Sequence, residues 1–203
     1  MKYILVSLAI VAFNFCSFAD SPITSTNFAS AYSESPIVSA ATTASGVLTD
    51  ELMDYLMDEK NPIDVKMAVI NQLGWDFDGK SNASTFQAYL FKKKKFKNEA
   101  AFKKKGTAHQ LICMAYLKAM DNYFDVSDAI VYANLAVKKN SKSYTIQLIA
   151  GIIKAQQAMD SNWCSVYELT NDVRSNEGLT VDMNATAIDL IFEYMDLYRD
   201  SCQ

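Results

Sequence analysis

The chain has 203 residues, half of them hydrophobic, and 19 Lys and Arg against 23 Asp and Glu leave a formal net charge of −4. So much apolar sequence excludes a disordered chain. Six glycines and three prolines are too few for the closely spaced turns of a sandwich or barrel.

The N-terminus reads as a secretory signal over residues 1–19. Lys2 supplies the positive charge, Tyr3 to Phe15 is nearly unbroken apolar sequence, and Ser17-Phe18-Ala19 offers small residues for cleavage. The run is shorter than the ~20 residues needed to span a bilayer. Cys16 follows the bulky Phe15, where lipid attachment expects a small residue. The reading is export, to the periplasm or outside the cell, with the mature chain starting at Asp20. Residues 20–46 are rich in Ser, Thr and Ala, are broken by Pro22 and Pro36, and have no sustained period. They are expected to form a flexible lead, with residues 47–203 as a single helical domain.

Beyond the lead, helical signals follow one another. Thr49 opens a helix with Leu52 and Leu56 on its buried stripe, and Leu48 and Met53 at staple spacing. Asn61-Pro62 ends it and begins the next, which carries Ile63, Met67, Ile70 and Leu73 and stops at Gly74. Ser81 or Asn82 is expected to cap a third helix with Phe86, Tyr89 and Leu90. Thr107 to Asn122 places Leu111, Ile112, Ala115 and Ala119 inward. Asp125 then caps a helix bearing Val126, Ile130, Ala133 and Val137, closed by Lys138-Lys139-Asn140. The next stripe, Leu148, Ile152, Ala155 and Met159, follows so soon that the two helices must lie antiparallel. Ser161 or Asn162 starts a helix with Val166 and Val173. The last helix, from about Val181 to Asp200, is apolar on two faces and so expects more than one neighbour.

Ala119-Met120-Asp121-Asn122 and Ala158-Met159-Asp160-Ser161 recur 39 residues apart, each at a helix junction. Such self-similarity suggests stacked helical hairpins. Ala129, Ala136 and Gly151 followed by Ala155 fall where small residues let neighbouring helices approach, and on these residues the hairpin resembles a tetratricopeptide-type repeat over roughly residues 107–175. Ser141 and Gln147 replace that family's usual proline and aromatic, and its repeat is about 34 residues long. The expected fold is all-α and built of antiparallel helical hairpins. It is either a short right-handed solenoid-like stack or a helical bundle.

Three cysteines lie beyond the signal. Cys164 starts one helix and Cys202 follows the end of the next, so antiparallel packing would bring them within disulfide reach. Cys113 sits in an apolar run and reads as a buried filler, although His109 on the same face raises a His–Cys metal or nucleophile pair. Asp76 and Asp78 with Asn82 resemble the start of a calcium loop, but the third oxygen ligand and the closing glutamate are missing. Asn82 and Asn184 both stand in glycosylation sequons and both suit helix caps.

The strongest charge feature is basic. Lys92, Lys93, Lys94, Lys95, Lys97, Lys103, Lys104 and Lys105 fall in fourteen residues, opposed only by Glu99 and interleaved with Phe91, Phe96 and Phe102. They are either a solvated face whose phenylalanines anchor it to the core, or a site for an anionic ligand or surface. Lysine without arginine argues against phosphate forks, and no nucleic acid is expected. The chain has one histidine, no nucleophile elbow, no Cys-x-x-Cys and no glycine-rich phosphate loop. No cofactor is expected. The functional expectation is an exported, non-catalytic module that binds a protein or peptide. The alternatives are a small carboxylate- or metal-dependent enzyme, and a protein attached to a surface through Lys92–Lys105.

Overall fold

A computed structural model describes residues 20–203; the expected signal segment 1–19, with Cys16, lies outside the described residues. The flexible lead expected at 20–46 is instead folded. Ser21 accepts the Thr24 N–H and Pro22 takes the first position of helix α1 (Pro22–Ser25). A 3-10 turn follows at Phe28–Tyr32, and Pro36 opens α2 (Pro36–Thr43). Ile23, Phe28, Ala29, Tyr32, Val38 and Ala41 are all buried. The three short elements contribute one, three and two of these apolar residues in turn, so no single period runs through the segment.

The polar anchor of this segment is Asn71. Its Oδ1 accepts the Ala29 N–H at 2.9 Å, while its Nδ2 donates to Thr26 O at 3.0 Å and to the Tyr116 hydroxyl at 2.9 Å. Phe28 stacks on Tyr116 with ring centroids 6.3 Å apart. Tyr32 donates to Asp64 Oδ2 at 2.9 Å and its oxygen accepts the Asn184 N–H. A segment rich in serine and threonine is thus held by a buried amide and two tyrosines.

The remaining helices are α3 (Asp50–Met57), α4 (Ile63–Leu73), α5 (Asn82–Lys94), α6 (Glu99–Lys105), α7 (Ala108–Asp121), α8 (Ser127–Lys139), α9 (Tyr144–Ala158), α10 (Trp163–Arg174) and α11 (Ala185–Met195), with a closing 3-10 turn at Asp196–Cys202. Thr49, Asn98, Ser143 and Asn162 cap α3, α6, α9 and α10 with side-chain oxygens. Thr107 opens α7 with a reciprocal box, taking the Gln110 N–H while Gln110 reaches back to the Thr107 N–H. Each of α7 to α10 packs against the next, so the second half is a run of hairpins in an all-α fold. The last helix is shorter than expected, and Leu197 lies exposed on the 3-10 turn.

α7 lies at the centre, with eleven of its fourteen residues buried. It touches α1, α3, α4, α5, α8 and α9. α9 meets α1 and α4 as well as its sequence neighbours, and α11 packs on the 3-10 turn at Phe28–Tyr32. Contacts between first and last elements close the hairpin run into a bundle, whereas in an open solenoid each unit touches only its neighbours.

The structure forms the disulfide between Cys164 and Cys202, with Cα atoms 4.6 Å apart, which ties the C-terminal turn to the start of α10. At Gly151 α9 and α10 approach closely: a Cβ there would sit 2.9 Å from the Leu169 carbonyl oxygen. Gly151→Ala gains helix propensity of about 1 kcal/mol but drives a methyl into backbone that cannot step aside. We expect a net loss of about 1–3 kcal/mol in denaturant unfolding. Asn71→Leu should cost about 2–4 kcal/mol by stranding three buried partners. It should also make the peptide bonds of residues 20–46 the first sites of limited proteolysis.

Candidate binding site

The loops that leave α4 and α7 meet at one end of the bundle, and each is fixed by groups distant in sequence. Gly74 ends α4 with a positive φ of 65°. Lys80 then folds its ammonium onto the exposed carbonyls of that helix end, donating to Leu73 O at 2.5 Å and Gly74 O at 3.0 Å. Gly79, at φ 80°, lets the Lys80 N–H reach Asp121 O at 3.0 Å, and a Cβ on it would lie 3.1 Å from that oxygen.

Asp121, the last residue of α7, also caps α5 through space: its Oδ2 accepts the Ala83 N–H at 2.7 Å. This corrects the expectation that Ser81 or Asn82 caps that helix. Ser81 makes no capping bond. Asn82 is buried and spends its amide elsewhere, accepting the Leu48 N–H and donating to Gly46 O, both at 2.9 Å. Burial raises the Asp121 pKa above the usual carboxylate range, against the opposing pull of the Ala83 and Asn82 N–H groups and of Lys80 and Lys118. Its second oxygen is buried without a hydrogen-bond partner among the described residues.

On these clamped loops stand four aromatic rings. Trp75 meets Tyr123 edge-on at 5.1 Å, Phe77 meets Phe124 edge-on at 5.6 Å, and Tyr123 lies 4.2 Å from Phe124. Phe77 and Phe124 remain 70% and 63% exposed, an unusual placement for neighbouring phenylalanines. They flank a cleft of about 410 Å³ whose other walls include Asp76, Asp78, Asp121 and Asn122. A second groove, about 360 Å³, begins across Asp121 and Asn122 and takes in Gln87, Lys118, Asp125 and Asp128. Its cations are occupied: Lys80 on the α4 carbonyls, Lys118 on Asp128 Oδ2 at 2.6 Å. Asp125, hydrogen-bonded by Ser127, sits below the usual carboxylate range. This end of the molecule is therefore apolar at its tip and acidic around it.

The calcium candidates do not assemble. Asp76 Oδ1 accepts the Asp78 N–H in a tight turn, and Asn82 is turned to Gly46 and Leu48. Among the described residues, the one grouping of three His, Cys, Asp or Glu ligand atoms within 4.8 Å is Cys164, Glu168 and Cys202. Two of its members are the disulfide. The sequons resolve as caps and clamps, Asn184 accepting the Thr186 N–H at 2.8 Å.

His109 does not serve Cys113. Its Nδ1 lies 3.2 Å from Nζ of Lys66, which is fully buried on α4, and 3.7 Å from Glu59 Oε2. Burial lowers the pKa of Lys66, and burial together with the Lys66 charge lowers that of His109. Burial pushes the Cys113 thiol up to about 12, so it stays protonated and inert at neutral pH. Lys66 was missed in the sequence because it sits among apolar helix positions, where a lysine reads as solvent-facing. A hydrophobic residue on every side of it was the available signal.

The eight lysines cluster at the opposite end of α5 from the cleft. Those of α5 and α6 occupy last helical turns. Phe91, Phe96 and Phe102 pack on one another at 5.3–6.0 Å, and Phe102 reaches Tyr132 at 5.8 Å. These rings anchor the segment to the core.

Asp121→Ala should destabilise by about 0.5–2 kcal/mol through loss of the α5 cap, with Asp121→Asn, which keeps an acceptor, costing less. A raised native pKa means the folded chain binds more protons than the unfolded one, so the contribution of Asp121 to stability falls as pH rises through the window between the two values. Urea unfolding across that range should show the trend in the wild type and its removal in Asp121→Asn. Comparison with known protein families, curated proteins and solved structures yields no match.

Proposed function

We propose that the protein is a non-catalytic binding module, exported to the periplasm or beyond. Its cleft between Phe77 and Phe124 takes a peptide segment in which a lysine or arginine neighbours an apolar side chain. The observation that carries this reading is the exposed phenylalanine pair, held edge-to-face on loops clamped by Asp121 and Lys80. Rigid loops keep the ordering cost of binding low. Burying one such ring contributes about 1.5–3 kcal/mol, and a cation over an exposed ring adds about 0.5–1 kcal/mol. Asp76, Asp78 and Asp121 line the cleft without a lysine or arginine among its walls, which favours a cationic partner and disfavours an acidic one.

Other features support binding over catalysis. Asp121, the buried carboxylate at the cleft, is engaged in capping, and Cys113 and Lys66 are sealed in the core. The run of hairpins from α7 to α10 suits a protein- or peptide-binding role of the sort served by helical-hairpin repeats. The apolar stretch after Lys2 supports export. Among the described residues no helix is long and apolar enough to cross a membrane.

Trp75, 5.1 Å from Tyr123 of the cleft wall, offers a fluorescence reporter beside the site. Titration with short peptides pairing lysine or arginine with an aromatic residue should show saturable quenching. Affinity should fall by about tenfold or more for glutamate counterparts and for the Phe77→Ala/Phe124→Ala variant. Equal binding of acidic and basic peptides, or binding indifferent to the double substitution, would sink the proposal.

A further inference from the structure

At the far end of α5 the fold assembles a second surface that the linear lysine run only half describes. Lys92, Lys94, Lys95, Lys97, Lys104 and Lys105 are exposed and make no ion pair or side-chain hydrogen bond among the described residues. Lys93 and Lys103 alone are neutralised, by Asp54 and by Glu99 with Asp128. The end of α8 joins them: Lys139 Nζ donates to the Lys104 carbonyl at 3.2 Å, which brings Lys138 and Lys139 beside the elbow. Three helices, α5, α6 and α8, thus converge with cations in their last turns.

Helix C-termini favour lysine for their own sake, but one position exceeds that need. Lys95 closes α5 in the left-handed region, at φ 56°. Glycine is the residue that occupies this cap without steric cost. A lysine held there at a cost projects its charge from the apex of the elbow.

We infer that this elbow binds an extended anionic polysaccharide through its carboxylate or phosphate groups. The charge is spread over three helix ends, which matches a polymer of repeated anions better than a single small ion. Every cation in it is a lysine, a point charge that attracts a carboxylate or a phosphate without the planar fork that reads their geometry. Phe102 is fully buried, and Phe91 and Phe96 are packed against it. Phe91 and Phe96 are half-buried and spend their faces on each other and on Phe102, which disfavours stacking on a base or entry into a bilayer. The acidic cleft of a second copy offers only a few carboxylates, one of them buried, against this many cations. The inference stands on different residues from the cleft and does not depend on it.

The test is retention of the full chain on immobilised polygalacturonate, with neutral dextran as control. Binding to polygalacturonate alone is expected, weakening by about tenfold or more as salt rises, because exposed charges are screened over roughly 10 Å at 0.1 M. Changing the six free lysines to glutamine should lower affinity by at least about tenfold, with the circular dichroism spectrum unchanged. Lys95→Gly should raise the melting temperature while weakening retention, a pairing that a merely structural lysine would not produce. Absence of retention, or retention indifferent to the six substitutions, overturns the inference. Tighter binding to phosphatidylglycerol vesicles or to a single-stranded oligonucleotide overturns the choice of polysaccharide. Self-association that the glutamine variant loses, without polymer binding, overturns it too and assigns the elbow to a second copy.

Discussion

A helix buried on every side cannot be covered by one partner, and α7 imposes that requirement on the whole chain. Leu111, Ile112, Met114, Ala115, Tyr116, Leu117 and Ala119 are all sealed from solvent. Apolar surface of this extent contributes only if each strip of it meets another element. α8 and α9 supply two walls, and α3, α4 and α5 supply others. The N-terminal segment closes the last gap, with Phe28 against Tyr116 and Asn71 satisfying the polar groups that this closure buries. What composition marks as a pliable leader is therefore a wedge in the core.

The same helix sets the geometry of the cleft. Asp121 ends α7 and starts α5 in one residue, giving its carbonyl to Lys80 and its carboxylate to Ala83. Lys80, pulled into place, covers the carbonyl end of α4. Two loops are thereby locked to each other by charge-assisted bonds, and the aromatic rings they carry inherit a fixed relation. The exposed pair Phe77 and Phe124 is consequently rigid apolar surface on an acidic rim.

Charge is graded along α5: Asp76, Asp78 and Asp121 lie where it begins and its lysines where it ends, with Asp54, Asp58 and Glu59 alongside Lys93 and Lys94. Each half suits its end of the helix dipole, so local electrostatics and the two proposed binding surfaces do not conflict. In the interior, the Lys66–His109 contact is the opposite case, a cation held in the core against the one histidine. Burial lowers the pKa of both groups, the Lys66 charge adds to the fall at His109, and the neutral imidazole is the form that accepts from the ammonium.

Periodicity by itself determined the all-α class, the hairpins from α7 to α10, and the meeting of Cys164 with Cys202, because a helix stripe and a short connection leave few arrangements. Local chemistry also disclosed the caps at Thr49 and Asn162 and the anchoring role of Phe91, Phe96 and Phe102. The trans cap from Asp121, the clamps made by Asn71 and Asn82, the burial of Lys66 and the joining of Lys139 to the lysine elbow were decided only by the tertiary structure. Each pairs groups more than thirty residues apart, and a linear pattern records what a residue is, never what the fold carries to its side. For that reason the folded leader escaped notice: its burial is owed to the needs of α7, and nothing within residues 20–46 repeats with a helical period.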